Sequence, residues 1–232
     1  MKSNSAVEAD VIDFLGGVPL FSRLRESALL TLARASRFVH VKKGEALFFQ
    51  SDPSDLAYIV RRGTVSIVLN SPDGREMMIN EMRKGDLFGE LGILTSRDRS
   101  TSAIARSDSE ILVIPRTAFL RIVDDEPELT RRMLELTVTR LQMSSERESA
   151  LVFMDAQARL AHLLLDLDRQ EAETGYITIS QDELAQRTGL IRQTVAKALG
   201  NWRRKGYLLT GRGRIVLLNH KALRDLENQL IV

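Results

Sequence analysis

The chain of 232 residues contains no cysteine. That absence excludes structural disulfides, cysteine zinc sites and iron–sulfur clusters held by thiolates. It suits a reducing compartment and gives an expected cytoplasmic location. Histidine is scarce too. The three histidines, His40, His162 and His220, have no metal-ligand spacing and read as surface or core residues. No apolar run approaches the length of a membrane span, and no signal-peptide core adjoins Met1-Lys2-Ser3-Asn4-Ser5, so no membrane partner is expected. No nucleophile–base constellation is visible either, which argues against an enzyme. Acidic residues are missing from one long stretch. Between Glu183 and Asp225 there is none, whereas Arg187, Arg192, Lys197, Arg203, Arg204, Lys205, Arg212, Arg214, Lys221 and Arg224 all lie there. The net charge of +2 conceals this asymmetry. A basic block with interspersed apolar residues is an electrostatic footprint for nucleic acid, although charge alone equally describes a solvated face.

What is present is ordinary globular material, 44% hydrophobic and 28% charged. Residues 1–10 read as a frayed tail, and a helical pattern runs from Val11 to about Ala35 through Leu24, Leu29, Leu30, Leu32 and Ala33. From Phe38 to about Pro115 short β-branched and aromatic runs alternate with glycine-bearing turns, which predicts an antiparallel sandwich or roll. Ser71-Pro72-Asp73-Gly74 carries a hairpin signal. From Glu128 to about Phe153 a long helix is predicted. Its seam runs through Met133, Thr137, Leu141, Ser144, Glu148 and Leu151, with Leu136 and Arg140 beside it. With Thr137, Ser144 and Ser145 at its centre, either the helix pairs loosely or those hydroxyls have another task.

A further helix is predicted from Ala156 to Glu171, then a short strand Ile177-Thr178-Ile179. Ser180 caps the next helix, with Glu183 three residues on completing a capping box. That helix ends at Thr188-Gly189, and another follows over Leu190–Lys205. Two short helices joined by a tight glycine turn describe a helix-turn-helix. The hairpin Tyr207-Leu208-Leu209 / Arg214-Ile215-Val216-Leu217, turned by Gly211-Arg212-Gly213, adds a wing that is basic at its tip. Tyr58, Tyr176, Tyr207 and Trp202 read as packing residues.

The densest chemistry lies in Phe88-Gly89-Glu90-Leu91-Gly92-Ile93-Leu94, followed by Arg99-Ser100-Thr101. Glycine lets backbone N–H groups approach phosphate oxygens. Arginine supplies a planar fork matched to phosphate, and a carboxylate in the same pocket suits a sugar hydroxyl. The stretch resembles the phosphate-binding cassette of cyclic-nucleotide-binding domains.

With the elements in this order, the whole chain resembles the cyclic AMP receptor group of the CRP/FNR transcription regulators. The resemblance implies an α+β fold: a cyclic-nucleotide-binding β-roll (jelly roll) over 1–126, a dimerisation helix and hinge over 127–154, and a winged helix-turn-helix over 155–232. It also implies that Gly89, Glu90 and Leu91 take the cyclic phosphate and the ribose hydroxyl, and that Arg99 and Ser100 clamp the phosphate. Ser144 and Ser145 would meet the purine base from the two subunits of a homodimer, and Arg140 would pair with Glu90. Arg97 is a rival to Arg99, because the loop Thr95-Ser96-Arg97-Asp98 is one residue shorter than in familiar cyclic AMP receptors. Thr101 stands where many of them have alanine, so cyclic AMP is expected as effector and cyclic GMP remains open. No metal, haem or iron–sulfur cluster is implied.

Toward double-stranded DNA, the resemblance implies that Arg192, Gln193 and Lys197 reach base edges in a roughly palindromic site. Ser180, Gln181 and Thr194 would contact phosphate, as would Arg212 at the wing tip. Relatives usually carry glutamate in place of Gln193. Ile191 replaces the small hydroxyl residue that usually caps the recognition helix. RNA polymerase is the further partner implied. A regulator of this family that binds DNA without any nucleotide is the alternative reading.

Overall fold

The computed structural model describes residues 4–71 and 76–228. The chain divides into two compact units, 1–139 and 140–232, with the boundary inside a long helix.

The first unit opens with helices α1 (Asn4–Gly16) and α2 (Glu26–Ala35). Helix therefore begins well inside the segment expected as a frayed tail. Val7, Val11 and Leu15 recur every four residues, and Val11 and Leu15 are fully buried, which holds the first turns in place. Then follow β1 (Arg37–Val41), β2 (Ala46–Phe48), β3 (Leu56–Arg62), β4 (Val65–Asn70), β5 (Glu76–Met82) and β6 (Leu87–Phe88). After these come α3 (Glu90–Thr95), β7 (Ser102–Ala105), β8 (Ser109–Pro115) and α4 (Arg116–Asp125).

All the strand pairs are antiparallel. They form two four-stranded sheets, ordered β1-β8-β3-β6 and β2-β7-β4-β5. This is the sandwich the alternating pattern predicts. The turn at Pro72-Asp73-Gly74 lies outside the described residues, but β4 and β5 on either side of it pair from Val65↔Met82 to Asn70↔Glu76.

The two central strands of the first sheet are apolar on both faces, and the period of two assigns each residue to a side. Ala57, Ile59, Leu112 and Ile114 face a core shared with α1, α2 and α4, where Phe21, Leu32, Phe119 and Ile122 are buried. Tyr58, Val60, Ile111 and Val113 face the second sheet and pack on Phe48, Val65, Ile67 and Phe88. Covering on both faces explains why these strands read as continuous apolar runs.

Helix α5 (Pro127–Phe153) starts on a proline, whose fixed φ suits the first helical position. Burial along α5 bears on the expected seam. Met133 is buried in the core of the first unit, so it is not free to face a partner chain. The large apolar residues of α5 open to solvent are Leu134, Val138, Leu141, Met143, Leu151, Val152 and Phe153. Leu134, Val138, Leu141 and Val152 keep a three-four spacing that passes through Ser145 and Glu148, while Leu141 and Leu151 also belong to the expected seam.

The second unit continues with α6 (Ala156–Gln170), β9 (Ile177–Thr178), α7 (Gln181–Thr188), α8 (Arg192–Arg204), β10 (Leu208–Gly211), β11 (Arg214–Leu217) and α9 (His220–Glu227). Asp155 caps α6 by accepting from the Gln157 and Ala158 N–H groups. Trp202, Leu164, Leu184, Leu199 and Leu223 fill a separate core. The sequence pattern did not single out α9. It is held to α6 by His162–Glu227 at 2.6 Å and His220–Asp168 at 2.8 Å.

Candidate functional site

Strand β6 ends in Phe88, whose ring stacks on Tyr58 with centroids 5.2 Å apart. Gly89 follows at φ +76°, a conformation that L side chains rarely adopt. A Cβ there would lie 2.8 Å from Arg99 Nη1 and 3.0 Å from a Tyr58 ring carbon. Both the turn and the close approach therefore require glycine. The turn launches α3, placing Glu90 at its first position and burying it. Leu91 and Leu94 stay exposed on the same helix.

Arg99 is the centre of the site. Its N–H donates to the Asp52 carbonyl at 2.9 Å, and its own carbonyl accepts from the Ser51 N–H at 2.8 Å. With the backbone held at both ends, the side chain enters the fold and is only 5% exposed. Nη1 donates to the Gly89 carbonyl and Nη2 to the Leu56 carbonyl, the latter at 2.6 Å. The guanidinium lies 4.2 Å from the Phe48 ring centre and 5.6 Å from that of Tyr58. Nε is buried, and among the described residues it has no hydrogen-bond partner. Burial pulls the guanidinium below its ordinary range, against the field of Tyr58, Asp55, Glu90 and Asp52. A guanidinium titrates so high that it nevertheless stays cationic. Burial likewise raises the Tyr58 phenol, and Arg99 beside it opposes the shift. A cation this dry, between aromatic walls and with a donor unmet, is suited to receive an anion.

The structure thus brings together Gly89, Glu90 and Arg99, residues ten apart in sequence. Ser100 follows on the surface and Thr101 is half-buried. Arg97, the rival arginine, is exposed, and its backbone N–H donates to Gly92 O at 3.0 Å. Arg140, Ser144 and Ser145 lie on α5, where Arg140 and Ser144 are half-buried and Ser145 is exposed. Sequence reasoning missed Phe48, the Leu56 carbonyl and the second role of Tyr58, which both packs and walls the guanidinium. An aromatic in each of the two short apolar strands before the cassette, Phe48 in β2 and Tyr58 in β3, was the available signal.

In the second unit, α7 and α8 are joined through Gly189 at φ +68°. Ser180 caps α7 by accepting from the Glu183 N–H, and the Glu183 carboxylate pairs with Arg187 at 2.8 Å. Buried Val195, Leu199 and Trp202 turn one face of α8 into the core. The opposite face leaves Arg192, Gln193 and Lys197 exposed, with Thr194 half-buried among them. Gln181 stands at the first position of α7. The wing is the antiparallel pair β10–β11, and Arg212 is exposed in its turn. Arg214 lies 4.6 Å over the Tyr176 ring. These exposed donors cluster on one helix face and one turn, the layout of a helix entering a groove beside a wing on the backbone.

Among the described residues no group of three or more histidines and carboxylates is placed to hold a metal, and no helix is long and apolar enough to cross a membrane.

Comparison with known proteins bears on both sites. Residues 38–126 match the cyclic nucleotide-binding domain family, and residues 158–226 match the Crp-like helix-turn-helix domain family. The CRP-like cAMP-activated global transcriptional regulator of Mycobacterium tuberculosis is 30% identical over 213 residues, covering 89% of this chain and 95% of that one. The cyclic AMP receptor protein of Thermus thermophilus is 29% identical over 211 residues, covering 90% and 97%. In fold, the chain is similar to a crp/fnr-family transcriptional regulator from Eubacterium rectale. That match has a TM-score of 0.77 at 22% identity and covers 91% of this chain and 98% of that one.

Proposed function

The chain belongs to the CRP/FNR family of transcription regulators, and we propose that a cyclic nucleotide governs its binding to DNA. The buried Arg99 guanidinium beside Gly89 carries this reading. Its unmet Nε and the glycine-only turn describe a receptor for a small phosphate. Glu90, at the start of α3, takes the ribose hydroxyl, Leu91 contributes its N–H, and Ser100 completes the phosphate clamp. Cyclic AMP is the proposed effector and cyclic GMP the competitor, with Thr101 the residue that bears on the choice. Ser144 and Ser145 receive the base across a homodimer whose seam is the exposed stripe Leu134, Val138 and Leu141. Arg140 pairs with Glu90 in that arrangement.

Binding then acts by population shift. The nucleotide favours one arrangement of the paired α5 helices, which sets the separation of the two recognition helices for a palindromic site. It does so only to the extent that it binds the two arrangements unequally. Arg192, Gln193 and Lys197 read base edges, while Arg212, Thr194, Gln181 and Ser180 meet phosphate. The protein acts in the cytoplasm beside RNA polymerase, as a regulator and not as an enzyme.

The test is calorimetric titration of the full chain with cyclic AMP and with cyclic GMP, paired with DNA affinity at fixed salt with and without each. Saturable binding with a gain in DNA affinity supports the reading. Heat-silent titrations and unchanged DNA affinity refute it.

A further inference from the structure

The start of α8 presents an apolar side chain that gains neither a cap bond nor burial inside the fold. An N-cap residue normally offers a side-chain oxygen to the first free N–H groups of its helix. Ser180 does this for α7, Asp155 for α6 and Asn219 for α9, whereas Arg25, Gly89 and Pro115 make no such bond at α2, α3 and α4. At α8 the cap is Ile191, which makes no side-chain cap bond. Only its carbonyl serves the helix, accepting from Thr194 N–H at 3.0 Å and Val195 N–H at 3.3 Å. Nor does the side chain gain burial, since it is 53% exposed. A β-branched apolar group thus stands in water at the tip of a helix whose neighbouring outward residues, Arg192, Gln193 and Lys197, are all polar. Departures of this kind, uncompensated within the fold, mark places where an outside partner supplies the gain.

The partner follows from the chemistry. The N-terminal end of a recognition helix is the part that meets base edges, and the only apolar group presented in the major groove is the thymine C5-methyl. We propose that Ile191 is a specificity residue that packs on a thymine methyl in each half-site, beside the base pair read by Gln193. This rests on the DNA-binding reading above.

The test first selects duplexes from a random pool with the full-length protein at fixed salt, with and without cyclic AMP. Each thymine of the selected site is then replaced by uracil, which removes only the methyl. Affinities are compared for wild type, Ile191→Val and Ile191→Ser. The serine variant restores a cap, so it retains the fold. Burial of one methyl predicts about a fourfold loss at one thymine per half-site for wild type and Ile191→Val. Ile191→Ser should be indifferent to the same replacement. A selected site without a responsive thymine overturns the assignment while leaving DNA binding intact, and so does a response that persists in Ile191→Ser. Failure to enrich any duplex overturns the DNA reading and this inference with it.

Discussion

Replacing Arg99 by lysine keeps the positive charge and removes the fork. Arg99 donates through Nη1 to Gly89 O and through Nη2 to Leu56 O, and it holds Nε in reserve. A lysine ammonium is one compact point without the planar fork, so it does not reproduce the guanidinium's reach to two carbonyls and a phosphate together. At least one charge-assisted hydrogen bond to the ligand is lost. Such bonds contribute about 1.5–3 kcal/mol, which corresponds to about a 10- to 150-fold rise in Kd. One carbonyl is also left without its donor, at about 1–3 kcal/mol, which lowers Tm by several degrees. Calorimetric titration with cyclic AMP gives the first quantity and scanning calorimetry the second. The two readouts separate loss of ligand contact from loss of fold. If Arg99→Lys binds within threefold of wild type, the argument from the fork is wrong, and Arg99 acts only as a charge.

Gly89→Ala introduces a methyl 2.8 Å from Arg99 Nη1 at a positive φ. Chemical denaturation should show a loss of about 1–2 kcal/mol, with nucleotide affinity falling in the same variant. Leu134→Glu places a charge on a residue 63% exposed within the chain. Sedimentation should shift from dimer toward monomer while Tm holds, and an unchanged sedimentation coefficient would remove this stripe as the seam. In the DNA-binding unit, Arg212→Ala should weaken binding uniformly across sequences and reduce the salt slope by about one. Gln193→Ala should instead relax preference at a single base step by about 1–3 kcal/mol, read from competition between duplex variants.

The strands of the roll were legible because β3 and β8 carry unbroken apolar runs, and the helix-turn-helix because Ser180 and Gly189 mark its start and its turn. These are local signals. Capping, positive φ and side-chain period depend on residues within a few positions of one another. The cassette was legible for the same reason, since Gly89-Glu90 and Arg99-Ser100 are close in sequence. Three features were not. The start of α1 depends on Val11 and Leu15 finding a core built with Phe119 and Ile122, which local composition does not reveal. Likewise, the burial of Met133 depends on the first-unit core claiming it, which leaves Leu134 outside. Phe48 and the Leu56 carbonyl come from strands far before Arg99, and only sheet pairing brings them to it.

The sequence alone therefore determined which chemistry the chain carries: a glycine turn with an acid and an arginine, and an acid-free basic winged helix-turn-helix. The tertiary structure decided which arginine is dry and which stays in water, for Arg97 and Arg99 differ little as local sequence. Burial is a property of the packed whole. It desolvates one guanidinium between Phe48 and Tyr58, and a desolvated cation favours an anion beside it.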